Sequence, residues 1–338
     1  MDKIKHLLKA REITSLLIVV FVFLLVGLVN PSFLQISNIL LCLNGGVVYT
    51  IVAIGSAFVI LTGEIDISVG ATLGLSAAVA GSMIRDGKSW FIAILAAVAI
   101  GAFVGIVNGI GVTVFRIPSI IMTLGINGIV RGMSYVYTNG KWVENVQFEF
   151  KALAQATLPG GMTYFYFSAL VLAVVIFFLL TRTKKGRYFA AVGDNVDGAT
   201  LIGIPVGRIK MFAFIICGIM SAVAGLLYVS RVGFVTPTAG SGYEMKAIAA
   251  CVLGGISLSG GKGSVIGATI GAITMASISR ILVFLQFSSD YDNTITGVLL
   301  ITIVVADVLL ERHRKEKARR IRLSVKTADY TLGGNAHE

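Results

Sequence analysis

Residues 63–70 read Gly-Glu-Ile-Asp-Ile-Ser-Val-Gly and lie between two apolar stretches, 39–61 and 68–84. A hydrocarbon core of about 30 Å takes roughly 17 to 25 helical residues, and each stretch is long enough to cross it. A carboxylate at that depth is costly unless it is paired or hydrated. The free backbone groups of a broken helix are tolerated only where they are buried in protein or line a wet cavity. The stretch therefore predicts a membrane bundle in which a helix is broken beside the functional path. Asp66 has two readings here: cap of a helix starting near Ser68, or direct contact with a solute.

Working outward, the rest of the chain has the same character. Of 338 residues, 56% are hydrophobic and 13% charged, where soluble domains carry about 25% charged residues. Mean hydropathy is +0.89. The 39 glycines against 5 prolines suit membrane helices that approach closely through small residues. Further apolar segments fall at 13–29, 90–115, 119–137, 164–180, 211–229, 265–287 and 294–310, which makes nine. A tenth, 247–258, reaches spanning length if it starts near Gly240 and carries Glu244 and Lys246 at its outer end. The expected fold is all-α, a polytopic transmembrane bundle of about ten crossings.

The net charge of +11 sits in the flanks of apolar segments, which argues for membrane loops and against nucleic-acid binding. The basic regions are the N-terminus, the loop 181–210 and the tail after Arg312. An even number of crossings places all three on the cytoplasmic side and leaves the balanced loop 139–163 outside. The expected division is a cytoplasmic N-terminus 1–12, a permease domain 13–310 and a basic cytoplasmic tail 311–338. The first apolar run is longer than a signal-peptide core, and Asn30-Pro31-Ser32-Phe33 offers no cleavage site, so a retained first helix is expected.

Enzyme chemistry finds no foothold. His6, His313 and His337 all lie in the terminal segments, and Cys42, Cys217 and Cys251 sit singly in apolar stretches. Neither a nucleophile relay nor a metal cluster can be assembled from them. Gly87-Lys88-Ser89 and Gly261-Lys262-Gly263 lack the glycine five positions earlier that a phosphate loop needs, since Ser82 and Ile256 stand there. The expectation is no catalytic residue, no metal and no cofactor, with energy supplied from outside the chain.

The informative side chains are the polar ones in apolar surroundings: Asp66, Asn108, Asn127, Arg131, Glu244, Lys246, Arg280 and Asp307. Asn108, Thr123 and Asn127 either bind hydroxyl-rich solutes in the path or fasten helices together. Arg131 reads as either a site residue or a snorkelling one. Residues 254–261, Gly-Gly-Ile-Ser-Leu-Ser-Gly-Gly, echo residues 63–70. Such corresponding interruptions point to two repeat-related halves with the path between them. Ser68, Ser257 and Ser259 therefore join Asp66, Asn108, Thr123, Asn127, Glu244 and Lys246 as translocation-path candidates.

Residues 63–70 resemble the Gly-x-Ile-Asp-Leu-Ser-Val-Gly motif of the ribose-type sugar ABC importer permeases. Ile117-Pro118-Ser119-Ile120-Ile121-Met122-Thr123-Leu124-Gly125, followed by Arg131-Gly132, is similar to a second motif of that family. Glu244-Met245-Lys246-Ala247-Ile248-Ala249-Ala250, running on to Leu258, is similar to a third. Gly193-Asp194-Asn195, with Ala199 and Gly203-Ile204, resembles the loop that docks on the ATPase subunit, which implies a coupling role for Gly193, Asp194, Asn195, Ala199 and Gly203. Arg11-Glu12-Ile13-Thr14, Gly140-Lys141-Trp142-Val143-Glu144 and Glu244-Met245-Lys246 look most like the family's autoinducer-2 branch. Glu64 departs from the family, which more often has glycine or a neutral residue there.

The resemblance implies an inner-membrane importer subunit for an autoinducer-2, ribose or rhamnose type solute. Its implied partners are an ATP-binding ABC subunit, a second permease subunit, identical or different, and a periplasmic or extracellular solute-binding protein. An ion-coupled secondary transporter using Asp66 or Glu244 is the competing class.

Overall fold

The structure, a computed structural model, describes residues 11–288, 290–305, 309 and 316. The three histidines, Asp307 and the tail after Arg312, except Glu316, lie outside the described residues. The helices are α1 (Arg11–Val29), α2 (Ile36–Gly45), α3 (Val47–Leu61), α4 (Val69–Arg85), α5 (Trp90–Thr113), α6 (Ser119–Thr138) and α7 (Phe148–Gln155). They continue as α8 (Tyr164–Arg182), α9 (Lys184–Asp194), α10 (Val196–Leu201), α11 (Val206–Val232), α12 (Tyr243–Leu253) and α13 (Val265–Phe284). A further helix, α14, covers Tyr291–Val305. Among the described residues no strand forms, and Val143–Val235 and Thr157–Thr163 are isolated antiparallel bridges.

The centre of the bundle is α3. A helix apolar on every side belongs inside, and from Val47 to Leu61 all but one residue is buried. Beside it lies α11, against which the antiparallel α5 packs through small residues. A methyl group on Gly105 would stand 2.5 Å from the Phe214 carbonyl oxygen, and one on Gly101 would stand 2.7 Å from the Ala222 methyl. The pair α12 and α13 packs the same way, with Gly254 against Gly267 and Ala250 against Gly271. Outer helices behave differently: α1 exposes Phe21, Leu24 and Leu28, and α8 exposes Phe167, Val171 and Phe178. Apolar side chains turned outward suit hydrocarbon as the surrounding solvent.

Among the described residues five helices are long and apolar enough to cross a membrane, and six spans result if the pair α2 and α3, bent by 45°, counts as one. The expected ten is not reached by that measure: α4 and α14 are shorter apolar helices, α6 is not among the spans, and two further expected spans take other forms. Residues 39–61 divide at Gly45 and Gly46 into α2 and α3. The span expected from near Gly240 is half a helix. With 11 residues at 1.5 Å rise, α12 is roughly 16 Å long, about half a hydrocarbon core. Ahead of it, residues 233–242 form no helix, and Gly233, Gly240 and Gly242 adopt φ of 82°, 79° and 84°. Only glycine takes such φ values without steric cost.

Candidate functional site

The site is built where α4 and α12 begin. Asp66 is 4% exposed. Its Oδ1 accepts hydrogen bonds from Ser68 N at 2.8 Å and Ser68 Oγ at 2.7 Å. Cys217 of α11 lies beside the same carboxylate. Cys217 lies near the middle of the 27-residue α11, so Asp66 lies about half-way through the depth of the bundle. Ser68 Oγ in turn accepts from Asn108 Nδ2 at 2.8 Å. Of the two readings of Asp66, these bonds fit a cap-like turn: the carboxylate accepts from Ser68, the residue at the N-cap position of α4.

Helix α6 satisfies the backbone of the break. Ile65 N donates to Ser119 Oγ at 3.2 Å, and Ile67 N donates to Thr123 Oγ1 at 3.1 Å. Ser119, Thr123, Asn127 and Arg131 follow one another at every fourth position, which on a helix is one face. At the far end of the stripe Arg131 Nη2 is 3.6 Å from Glu244 Oε2 and 3.5 Å from Gly240 O. Sequence reasoning took these residues singly. Their four-residue spacing was the available signal, and it also identifies Ser119 and Arg131 as members of the site.

The first turns of α4 and α12 touch through bare backbone. A methyl group on Gly240 would lie 3.0 Å from the Gly70 carbonyl carbon and 3.2 Å from Gly74 N. One on Gly70 would overlap the Glu244 carboxylate, whose Cδ it would meet at 3.2 Å. Glu244 Oε1 accepts from Gly242 N at 3.2 Å, so each half-helix start carries a carboxylate, as the positive end of a helix dipole favours. Around this junction, Asn108 Oδ1, Asn127 Oδ1 and Glu244 Oε2 are buried and take no hydrogen bond among the described residues. An acceptor left in that state costs about 1–3 kcal/mol, and of the three only Glu244 Oε2 faces a cation among the described residues, the Arg131 guanidinium at 3.6 Å.

Asp66, Ser68, Asn108, Thr123, Asn127 and Glu244 thus come together, whereas Lys246, Ser257 and Ser259 do not join them. Residues two apart on a helix do not face each other, and Lys246 points away from the Glu244 side. Its Nζ lies 2.5 Å from Asp292 Oδ2 and 3.4 Å from Tyr49 Oη. Ser257 and Ser259 belong to the hairpin 254–264, where Ser257 N bonds Lys262 O at 2.9 Å and Ser259 is exposed. The interruption facing Asp66 is 233–242, not the stretch around Ser257. The echoing segments do meet, through Gly261 N donating to Leu61 O at 3.0 Å, but beside Gly193 rather than beside the polar cluster.

At that end of the bundle lie α9 and α10. Asn195 joins them, its Oδ1 accepting from Gly198 N at 2.9 Å. Asp194 and Asn195 are exposed, and Gly203 takes φ of 80°. Ala199, expected on the docking surface, is 3% exposed and packs into its own chain, while Leu201 and Ile202 are 87% and 76% exposed. A methyl group is easily buried, and the large side chains exposed at the end of α10 are Leu201 and Ile202, which sequence reasoning passed over. Nearby, Glu64 pairs with Lys210 at 2.5 Å. Among the described residues no group of His, Cys, Asp and Glu is placed to hold a metal ion.

Residues 38–304 match the family described as branched-chain amino acid transport system, permease component. The chain belongs to this permease family. Among individual relatives, the autoinducer 2 import system permease protein LsrC of Enterobacter sp. (strain 638) is 38% identical, the alignment covering 95% of this chain and 93% of that protein. The LsrC protein of Salmonella typhi is 38% identical over 94% of this chain and 91% of its own. That of Escherichia coli (strain K12 / DH10B) is 37% identical over 94% and 92%. No solved structure matches the chain. In this multi-pass permease, the polar cluster lies where α4 and α12 begin, and the α9–α10 corner lies apart from it beside Gly193.

Proposed function

We propose that the chain is one permease subunit of an ATP-driven importer for a small, hydroxyl-rich, sugar-like solute of the autoinducer-2, ribose or rhamnose type. The observation that carries this reading is the pair of buried acceptors at mid-depth left unfilled among the described residues, Asn108 Oδ1 and Asn127 Oδ1, beside the Arg131–Glu244 ion pair. A solute dense in hydroxyl groups brings the donors those atoms need. Asp66, Ser68, Ser119, Thr123 and Arg131 hold the surrounding backbone in place, with Asp66 acting as a cap. ATP is hydrolysed by a separate ABC subunit that docks on Leu201 and Ile202, flanked by Asp194 and Asp197. A second permease subunit and an external solute-binding protein complete the assembly. In this reading residues 13–310 form the permease domain, and 1–12, 181–210 and 311–338 face the cytoplasm of a bacterial inner membrane.

Three experiments test the proposal. Cells carrying the assembled importer should accumulate autoinducer-2, ribose or rhamnose in an ATP-dependent way, and failure with all three would remove the solute class. Leu201→Asp with Ile202→Asp should release the ATP-binding subunit during purification. Single cysteines at Asn145 and Asp197 should label from opposite sides of the membrane, and labelling of both from outside would end the ten-crossing topology.

A further inference from the structure

Three separate pieces of backbone meet at Gly193 with no side chain between them. They are the end of α9, the end of α3 with its break, and the hairpin 254–264. A methyl group on Gly193 would overlap the Leu61 carbonyl oxygen and lie 2.5 Å from Gly261 N and 3.0 Å from Gly260 Cα. Gly260, with φ of 83°, leaves room for Gly63, whose N and Cα would lie 2.7 and 2.8 Å from an added methyl. Gly261, with φ of 72°, does the same for Asp194, whose N and Cα would both lie at 2.6 Å. Gly261 N also donates to Leu61 O at 3.0 Å. Backbone pressed on backbone has no rotamer to absorb a displacement, and packed interfaces pass small shifts on rather than deforming continuously.

From this meeting point two stiff routes lead to the polar cluster. One runs through the break, whose N–H groups are held by Ser119 and Thr123 and which ends in the Asp66 cap of α4. The other runs through the hairpin into α12, which is locked on α13 at Gly254 and Gly267 and carries Glu244 at its far end. On the input side, α9 packs on α3 through the edge-to-face rings of Phe189 and Phe58, 5.2 Å apart. Beyond it, α10 presents Leu201 and Ile202.

We propose that Gly193, Gly260 and Gly261 form a side-chain-free joint that passes movement of the α9–α10 corner to both half-helix starts at once. The three glycines are positioning residues of the transport cycle. The inference rests on the reading of α9–α10 as the docking element for the ATP-binding subunit, and goes beyond it by specifying where the movement travels.

The test uses the assembled importer, with whichever of autoinducer-2, ribose and rhamnose the wild type takes up as probe. Gly193→Ala is expected to retain the ATP-binding subunit, because Leu201 and Ile202 are untouched, while uptake falls by about tenfold or more. Gly207→Ala, whose added methyl meets nothing within 4 Å, is expected to transport as the wild type does. Wild-type uptake by Gly193→Ala overturns the joint. A second measurement leaves every glycine in place: cysteines at the exposed positions Asp194 and Lys262 are joined by oxidation. Segments that move as one body lose nothing by being tied, so oxidation is expected to change the uptake of this variant by less than about twofold relative to its own reduced form. Uptake that is lost on oxidation and restored by reductant shows the segments sliding past each other and overturns the joint even if Gly193→Ala fails to fold. Failure of the docking reading is distinct, because it shows as normal retention of the ATP-binding subunit by the Leu201→Asp, Ile202→Asp chain.

Discussion

Lys246 on α12 and Asp292 on α14 form an ion pair of 2.5 Å with side-chain exposures of 7% and 16%, and Ser279 Oγ on α13 donates to the same Asp292 oxygen at 2.7 Å. The short half-helix is thereby fixed to two neighbours at the level where its first turn carries Glu244. Removing one partner of a buried pair leaves an uncompensated charge, which costs about 3–5 kcal/mol, whereas replacing both by apolar residues is often neutral. Lys246→Met and Asp292→Asn alone are therefore expected to lower the melting temperature in detergent and to abolish uptake. The double substitution Lys246→Met, Asp292→Leu is expected to recover both. Recovery of stability without uptake would place a charge of this pair in solute binding rather than in fastening α12.

The cap on α4 separates charge from geometry. Asp66 needs an oxygen to accept from Ser68 N and Oγ, and asparagine is as good a cap as aspartate. Asp66→Asn should cost about 1 kcal/mol or less and leave uptake largely intact, while Asp66→Ala removes the acceptor and should cost about 1–2 kcal/mol. Thermal melting of the two variants beside an uptake assay checks the pair. Loss of uptake in a stable Asp66→Asn chain would assign the charge itself to transport.

Much of this was legible in the sequence, and the failures have physical causes. The break at 63–70 was readable because a carboxylate between glycines is conspicuous in an apolar chain. The half-helix α12 was not, since an apolar run with charges at one end looks the same whether the preceding residues are helical or extended. Gly233, Gly240 and Gly242 were the only hint that the chain there is not helical. Lys246 was grouped with Glu244 by proximity in sequence, although helix geometry turns residues two apart to different sides. Its partner Asp292 is 46 positions away, and no local pattern announces such a pairing. The stripe from Ser119 to Arg131 was present at every fourth residue, yet what it satisfies, the N–H groups of Ile65 and Ile67, depends on how α6 is placed.

Glycines differ sharply in what surrounds them, which yields a paired prediction. A methyl on Gly70 would overlap both the Glu244 carboxylate and the Gly240 carbonyl oxygen, while one on Gly125 meets nothing within 4 Å. Gly70→Ala should push α4 and α12 apart and reduce the folded yield severely. Gly125→Ala should keep or raise stability, by up to about 1 kcal/mol, because alanine is the better helix former. Size-exclusion profiles and melting curves of the isolated permease decide this without any assumption about the solute.

The unfilled acceptors predict effects of opposite sign on stability and on transport. Asn127 Oδ1 is buried and takes no hydrogen bond, so the folded chain bears the desolvation of that oxygen with nothing in return. Replacing Asn127 by Leu, of similar size and without polar atoms, should therefore leave the empty permease as stable as before or stabilise it by about 1 kcal/mol. If the oxygen is kept for the hydroxyl groups of the solute, the same change should raise the KM for uptake by about tenfold or more. A fastening residue behaves in the reverse way: its loss destabilises the bundle and leaves the KM alone. Melting temperature and uptake kinetics measured on one Asn127→Leu preparation therefore distinguish a solute contact from a structural one, and a less stable chain with an unchanged KM would overturn the assignment.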